Sequence, residues 1–263
     1  MVERARELIK PYLNRDGVIG IYLVGSATRP HRDEQSDLDI EVIVEDDVYE
    51  RTPDEERQTF VFKEGTAEGE PKVVDYEFYL IPWSDFVALG ESTHDLFHYP
   101  YQHTVVLYDP GNRITPVIEE HAHLSEDVRQ ERMTVHYLDF LYRLGRARKT
   151  DARGGHRLNL RLLYDDAVRA LVKLLFLVKG SWPATAHWSE QELRLLDVPE
   201  DLIEGAARLS PDVEPEDVKA LVEGVRTFME RNGVTIHKEH DAIQPWLFFT
   251  RDGKAAFERW GAR

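Results

Sequence analysis

IYLVGSATRPHRDEQSDLDIEVIV, residues 21–44, joins two apolar runs through a polar loop. The first run is rich in β-branched residues and ends at Gly25-Ser26, and the second opens on Asp37 and Asp39. Side chains of a strand alternate between faces, so residues two apart project the same way. Asp37 and Asp39 therefore crowd one face, where carboxylates repel each other unless a cation lies between them; hard oxygens of this kind suit Mg²⁺. A Gly-Ser turn after a strand, at an expected helix start, turns backbone N–H groups toward an anion such as phosphate. A phosphate cradle and metal-binding acids on adjoining strands are the parts that phosphoryl or nucleotidyl transfer needs. Either half alone reads equally well as an ordinary turn or a solvated strand edge. The order of strand, Gly-Ser, loop, Ser36-Asp37-Leu38-Asp39 and strand is what makes the pattern specific.

Composition narrows the setting. A chain of 263 residues can bury a sizeable core and form two compact units. Its net charge of −16, from 49 acidic and 33 basic residues, argues against long nucleic acid as substrate, because such binding needs a basic surface. An acidic surface attracts instead a cationic small molecule or a basic protein patch. The most apolar run, LVKLLFLVKG, is interrupted by Lys173 and Lys179 and falls short of the roughly 20 residues of a membrane span. The start MVERARELIK has no secretory apolar segment, and without cysteine there is neither a disulfide framework nor a thiolate metal site. A cytoplasmic location is expected. His94, His98 and His103 match no compact zinc spacing.

Along the chain, periodicity predicts a short helix over 2–14 with Pro11 bending or ending its regular part, then strands at 18–24 and 38–44. The acidic, turn-rich stretch 45–58 reads as a loop with at most a helical turn. A third strand runs from Val73 to Ile81 and stops at Pro82, followed by a short helix at 84–89 and a strand at 104–108. From Ser125 the pattern is helical: Met133, Tyr137, Phe140, Leu141 and Leu144 recur three and four apart. A long apolar helix at 158–178 ends at Gly180, and shorter helices follow at 189–196, 199–209 and 215–231. The aromatic tail from Pro245 to Trp260 is expected to dock back on the bundle. The expected fold is α+β, a mixed-sheet domain over 1–120 followed by an all-helical domain over 121–263.

Two-metal transfer usually employs a further acid on a neighbouring strand. Val74-Asp75-Tyr76-Glu77-Phe78 supplies Asp75 and Glu77, which alternation places on one face. Gly-Ser followed by Asp-x-Asp resembles the signature of the polymerase-β-type nucleotidyltransferase superfamily. The pattern is similar in particular to aminoglycoside nucleotidyltransferases of the kanamycin-modifying type. Gly25, Ser26, Arg29, Ser36, Asp37 and Asp39 match that family without a gap, Asp39 standing where the family has Glu. The family's third acid lies in a Val-Glu-Val-Asn-Phe strand, and that match selects Asp75. Its Tyr-Asp turn is similar to Tyr108-Asp109, and Gly145-Arg146 fits the Gly-Lys that contacts phosphate.

One departure concerns the proton acceptor. The family's Glu falls on Tyr142, a weak base whose reference pKa is about 10. Asp139, three residues earlier on a similar helix face, or Asp75 itself could take its place. The resemblance thus implies Mg²⁺ held by Asp37, Asp39 and Asp75, with nucleotide held by Gly25, Ser26, Arg29, Ser36 and Arg146. It implies transfer of NMP from an NTP, with ATP the expected donor, to a hydroxyl of a small, cationic, aminoglycoside-like acceptor. A protein acceptor of the antitoxin type and a nucleotide-binding module without turnover are the alternatives, and a homodimer is one assembly the chain allows.

Overall fold

The computed structural model describes residues 1–33, 36–63, 73–235 and 245–261. The chain divides into two compact units, Met1–His123 and Leu124–Arg263.

In the first unit β1 (Val18–Val24), β2 (Leu38–Val44), β3 (Gln58–Phe62), β4 (Val74–Pro82) and β5 (Val105–Tyr108) form one sheet in the order β3-β4-β2-β1-β5. β2 and β4 run parallel, while β1 pairs antiparallel with β2 and β5, and β3 antiparallel with β4. The period of two sorts the side chains. Ile21, Leu23, Leu38, Ile40, Val42, Phe78 and Leu80 line one face, where Ala5 of α1 (Val2–Leu8) and Ile9 pack on them. Pro11 ends the regular helix, the second of the two expected outcomes, and the rest of 2–14 continues as a 3₁₀ turn over Lys10–Tyr12. On the other face Tyr22, Val24 and Ile43 meet Phe86 of α3 (Trp83–Ala88) and Ile114 and Ile118 of α4 (Ile114–Ala122). Burying a side chain such as Phe86 contributes about 1.5–3 kcal/mol, so this helical cover anchors one end of the face. Asp37, Asp39 and Glu77 occupy the other.

The stretch read as a loop holds more structure than expected. It contains α2 (Asp46–Arg51) and runs into β3, whose exposed residues edge the sheet. Acidic and turn residues masked the short Gln-Thr-Phe-Val-Phe run that follows them. An edge strand with no buried side needs no apolar alternation to announce it.

The second unit is helical: α5 (Glu126–Asp151), α6 (Arg157–Val178), α7 (Ser189–Leu195), α8 (Glu200–Arg208), α9 (Pro215–Arg231) and α10 (Arg251–Trp260). Its core joins Met133, Phe140 and Leu144 to Leu171, Leu174, Leu202, Val225 and Phe228. The Ser125 hydroxyl accepts from the Val128 N–H at 3.4 Å, capping α5, and Glu126 and Asp127 complement the helix dipole. The tail docks as expected: Ala256 and Trp260 pack on Val135, and Trp260 Nε1 donates to Glu131 Oε2 at 2.5 Å. The Arg132 guanidinium lies 5.0 Å from the Trp182 ring and 4.7 Å from that of Trp260. Among the described residues no helix is long and apolar enough to cross a membrane.

Candidate active site

Cross-strand register builds the site. Val24 of β1 lies opposite Asp39 of β2, Asp39 opposite Glu77 of β4, and Glu77 opposite Phe60 of β3. Residues directly opposite share a face, so a single row crosses four strands. Asp37 stands two residues before Asp39 and joins the same group. Burial pushes the Asp39 carboxyl up to about 8, helped by a hydrogen bond with Glu77 and repulsion from Asp37, Glu77 and Glu41. Asp37 is raised by burial and by Glu77, with Lys63 acting the other way. Deeper on the same face, Glu41 is pushed up to about 7 by burial and by Glu77, although the Tyr22 hydroxyl donates to it. Tyr79 hydrogen-bonds Glu77 and Gln58, and burial together with Glu77 lifts its phenol to about 12.

Gly25 closes the row at β1. Its φ of 74° and ψ of −160° suit glycine alone, and an added Cβ would overlap the Asp39 carboxylate, whose Cγ lies 2.8 Å away. The chain then makes one 3₁₀ turn, Ser26–Thr28, rather than the expected helix start. The Thr28 hydroxyl donates to the Gly25 carbonyl at 2.9 Å and the Arg29 N–H to the Ser26 carbonyl at 3.0 Å. A turn of backbone amides beside a carboxylate row is the part of the expected cradle that is present.

Other expectations are corrected. Arg29, expected at the phosphates, is only 2% exposed; its Nη2 donates to the Tyr99 carbonyl at 3.2 Å and its guanidinium lies 4.1 Å from the Tyr99 ring. It anchors the turn from below. Ser36 is buried too, its Oγ accepting from the Asp33 N–H at 3.1 Å, which closes the loop before β2. Asp75 leaves the row altogether. Register slips between Val61↔Tyr76 and Phe62↔Val74, so Asp75 is the extra residue of a β-bulge. Its Oδ1 accepts from Arg4 Nη1 of α1 at 2.9 Å, and it is not among the groups that raise Asp37 or Asp39. Glu77, which alternation had made its equal, is the acid of β4 in register with Asp39.

Asp139 belongs to the second unit and is 0% exposed. It accepts from Arg143 Nε at 2.9 Å, and Arg143 Nη1 reaches Asp166 of α6 at 2.7 Å. Enclosed in this way it ties α5 to α6 and offers no carboxylate to a substrate. Arg146 is exposed on α5, its guanidinium 6.0 Å from the Tyr142 ring, and that ring packs on Phe248 at 4.9 Å. Asp109 holds the Arg113 and Thr115 N–H groups at 2.8 and 3.0 Å and so caps the start of α4. His98 is buried with its ring nitrogens against the carbonyls of His121 and Ser92 at 3.0 and 2.7 Å.

The acids suit a hard dication, which would remove the repulsion that burial now amplifies. Among the described residues no three His, Asp or Glu side chains form a ready-made metal cage.

This carboxylate row and glycine turn sit inside a span with a known pattern. Residues 5–101 match the family model described as nucleotidyltransferase domain. That span carries the whole row, from Gly25 to Glu77. The crystal structure of a nucleotidyltransferase-like protein from Exiguobacterium sibiricum 255-15 is similar at 15% identity and a TM-score of 0.46, covering 98% of this chain and 78% of that one. No curated protein matches the chain. Within the matched span, sequence reasoning passed over Glu41, Tyr79 and Phe60. Their signal was period two on β2, β4 and β3, readable once the strand neighbours are known.

Proposed function

We propose that the chain is a Mg²⁺-dependent nucleotidyltransferase that moves AMP from ATP onto a hydroxyl of a small acceptor. The observation that carries this reading is the contact of Gly25 with Asp39 in register with Glu77. It sets a turn of backbone amides beside a cluster of acids.

Asp37 and Asp39 hold the metal, and the turn at Gly25-Ser26 holds the terminal phosphates. When bound, the divalent ion supplies positive charge where negative charge builds on the transferred phosphoryl group. Glu77 accepts the proton of the acceptor hydroxyl. The acceptor oxygen then bonds to the α-phosphorus, the bond from that phosphorus to the bridging oxygen breaks, and pyrophosphate departs with its electron pair.

Titration calorimetry with ATP, with and without Mg²⁺, tests the binding half, and transfer of label from α-labelled ATP tests the chemistry. Binding should require Mg²⁺ and be lost in Asp37→Asn. Equal affinity with and without metal overturns the reading. Metal-dependent binding with no transfer to any hydroxyl leaves a nucleotide-binding module.

A further inference from the structure

Phe60 is 45% exposed on an edge strand, opposite Glu77 and on the same face as the acids. Edge strands are commonly protected by charge rather than by open aromatic rings. The Tyr79 ring meets Phe60 edge-on, with centroids 6.1 Å apart and an interplanar angle of 87°. Tyr79 thus packs against Phe60 from one side, while the Phe60 side chain stays 45% exposed.

The order of the row assigns that face a direction. In an in-line displacement the leaving pyrophosphate and the entering oxygen lie on opposite sides of the α-phosphorus. Pyrophosphate leaves toward Gly25-Ser26 at the β1 end of the row, so the acceptor enters from the β4 end. The next strand outward from Glu77 is β3, about 4.8 Å further on, and the residue it presents is Phe60. A ring resting on Phe60 offers that platform its whole flat face and reaches Glu77 with a hydroxyl on its own edge.

Resting on the function proposed above, we propose that Phe60 is the stacking platform for the acceptor, and that the acceptor is a small molecule with a hydroxyl on a flat unsaturated ring. Phe60 is then a specificity-determining residue and Tyr79 a positioning residue behind it.

The experiment loads the full chain with Mg²⁺ and α,β-methylene-ATP, which binds without transfer. N-acetyltyrosinamide, the planar probe, and kanamycin, the non-planar cationic one, are then titrated by saturation-transfer NMR. The planar probe should bind more tightly, and Phe60→Ala should weaken it at least about fivefold, in line with the loss of one aromatic stack. Phe60→Tyr should restore it, and affinity for the nucleotide should stay within twofold in both variants. Preference for kanamycin, or a planar probe unaffected by Phe60→Ala, overturns the platform while leaving nucleotidyl transfer standing. Loss of nucleotide affinity in Phe60→Ala also overturns it, because the ring would then serve the nucleobase. If the parent binds no Mg²⁺-nucleotide at all, the functional reading fails and takes the platform with it.

Discussion

Gly25 leaves less room for a side chain than any other described glycine of the first unit, and Asp39 is what fills that room. The backbone at Gly25 is left-handed, and the space where a side chain would begin holds a carboxylate. Gly25→Ala should therefore displace Asp39 and cost about 1–3 kcal/mol in backbone strain; denaturant unfolding measures the cost, and calorimetry should show Mg²⁺-ATP binding lost with it. A folded Gly25→Ala protein that binds nucleotide normally would refute the assignment of the turn. Asp39 makes the complementary case. Its carboxyl is half-buried beside Asp37, Glu41 and Glu77, so above about pH 8, where it ionises, neutralising it removes repulsion that the metal-free protein must otherwise tolerate. Asp39→Asn is expected to raise the melting temperature without metal and to weaken Mg²⁺-ATP binding, a split that thermal shift with and without ligand resolves. A variant less stable than the parent in both conditions contradicts the crowding.

Among elements, strands β1 and β2 were legible because β1 is a continuous apolar run buried almost throughout and β2 an apolar run whose first half alternates, and both extents agree with the sequence reading. The third acid was not. Alternation treats Asp75 and Glu77 as equivalent, and only the bulge at Asp75 separates them; no residue in Val-Val-Asp-Tyr-Glu marks that bulge. Asp139 misled for another reason: helix periodicity indicates a face but not whether a partner helix covers it. α6 covers this one, and Asp139, Arg143 and Asp166 make a tie between the two longest helices. Asp139→Asn should accordingly destabilise the second unit by about 1–3 kcal/mol, the usual cost of leaving a partly buried charge short of its partner. Circular dichroism melts check the loss, and the affinity of the folded variant for Mg²⁺-ATP should match the parent. A variant of unchanged stability but reduced transfer would return Asp139 to the chemistry.

For the whole molecule, the two units carry separate cores and respond to different conditions. His136 of α5 is fully buried, and neither ring nitrogen has a hydrogen-bond partner among the described residues. Burial, then Arg132 and Lys173, hold its pKa well below 6.5. The unfolded chain binds a proton there below pH 6.5 while the folded one does not, so stability should fall as the pH falls through that range. Differential scanning calorimetry from pH 7.5 to 5.0 should show the transition of the second unit moving down, and His136→Leu should flatten that dependence. Mg²⁺-ATP should move the other transition, because a ligand stabilises the unit that binds it. Ligand and acid acting on the same transition would show that the units unfold as one.

The indoles are unevenly shared. The chain has five tryptophans; Trp182 and Trp260 flank Arg132, Trp188 and Trp246 also follow residue 124, and Trp83 alone belongs to the first unit. Intrinsic emission is therefore a readout of the helical unit, and a fluorescence melt can look complete while saying little about the sheet that holds the acids. Trp83, with the Arg113 guanidinium 4.6 Å from its ring, is the native optical reporter for that half. A variant keeping only Trp83 would turn the spectrum into a direct view of the sheet unit.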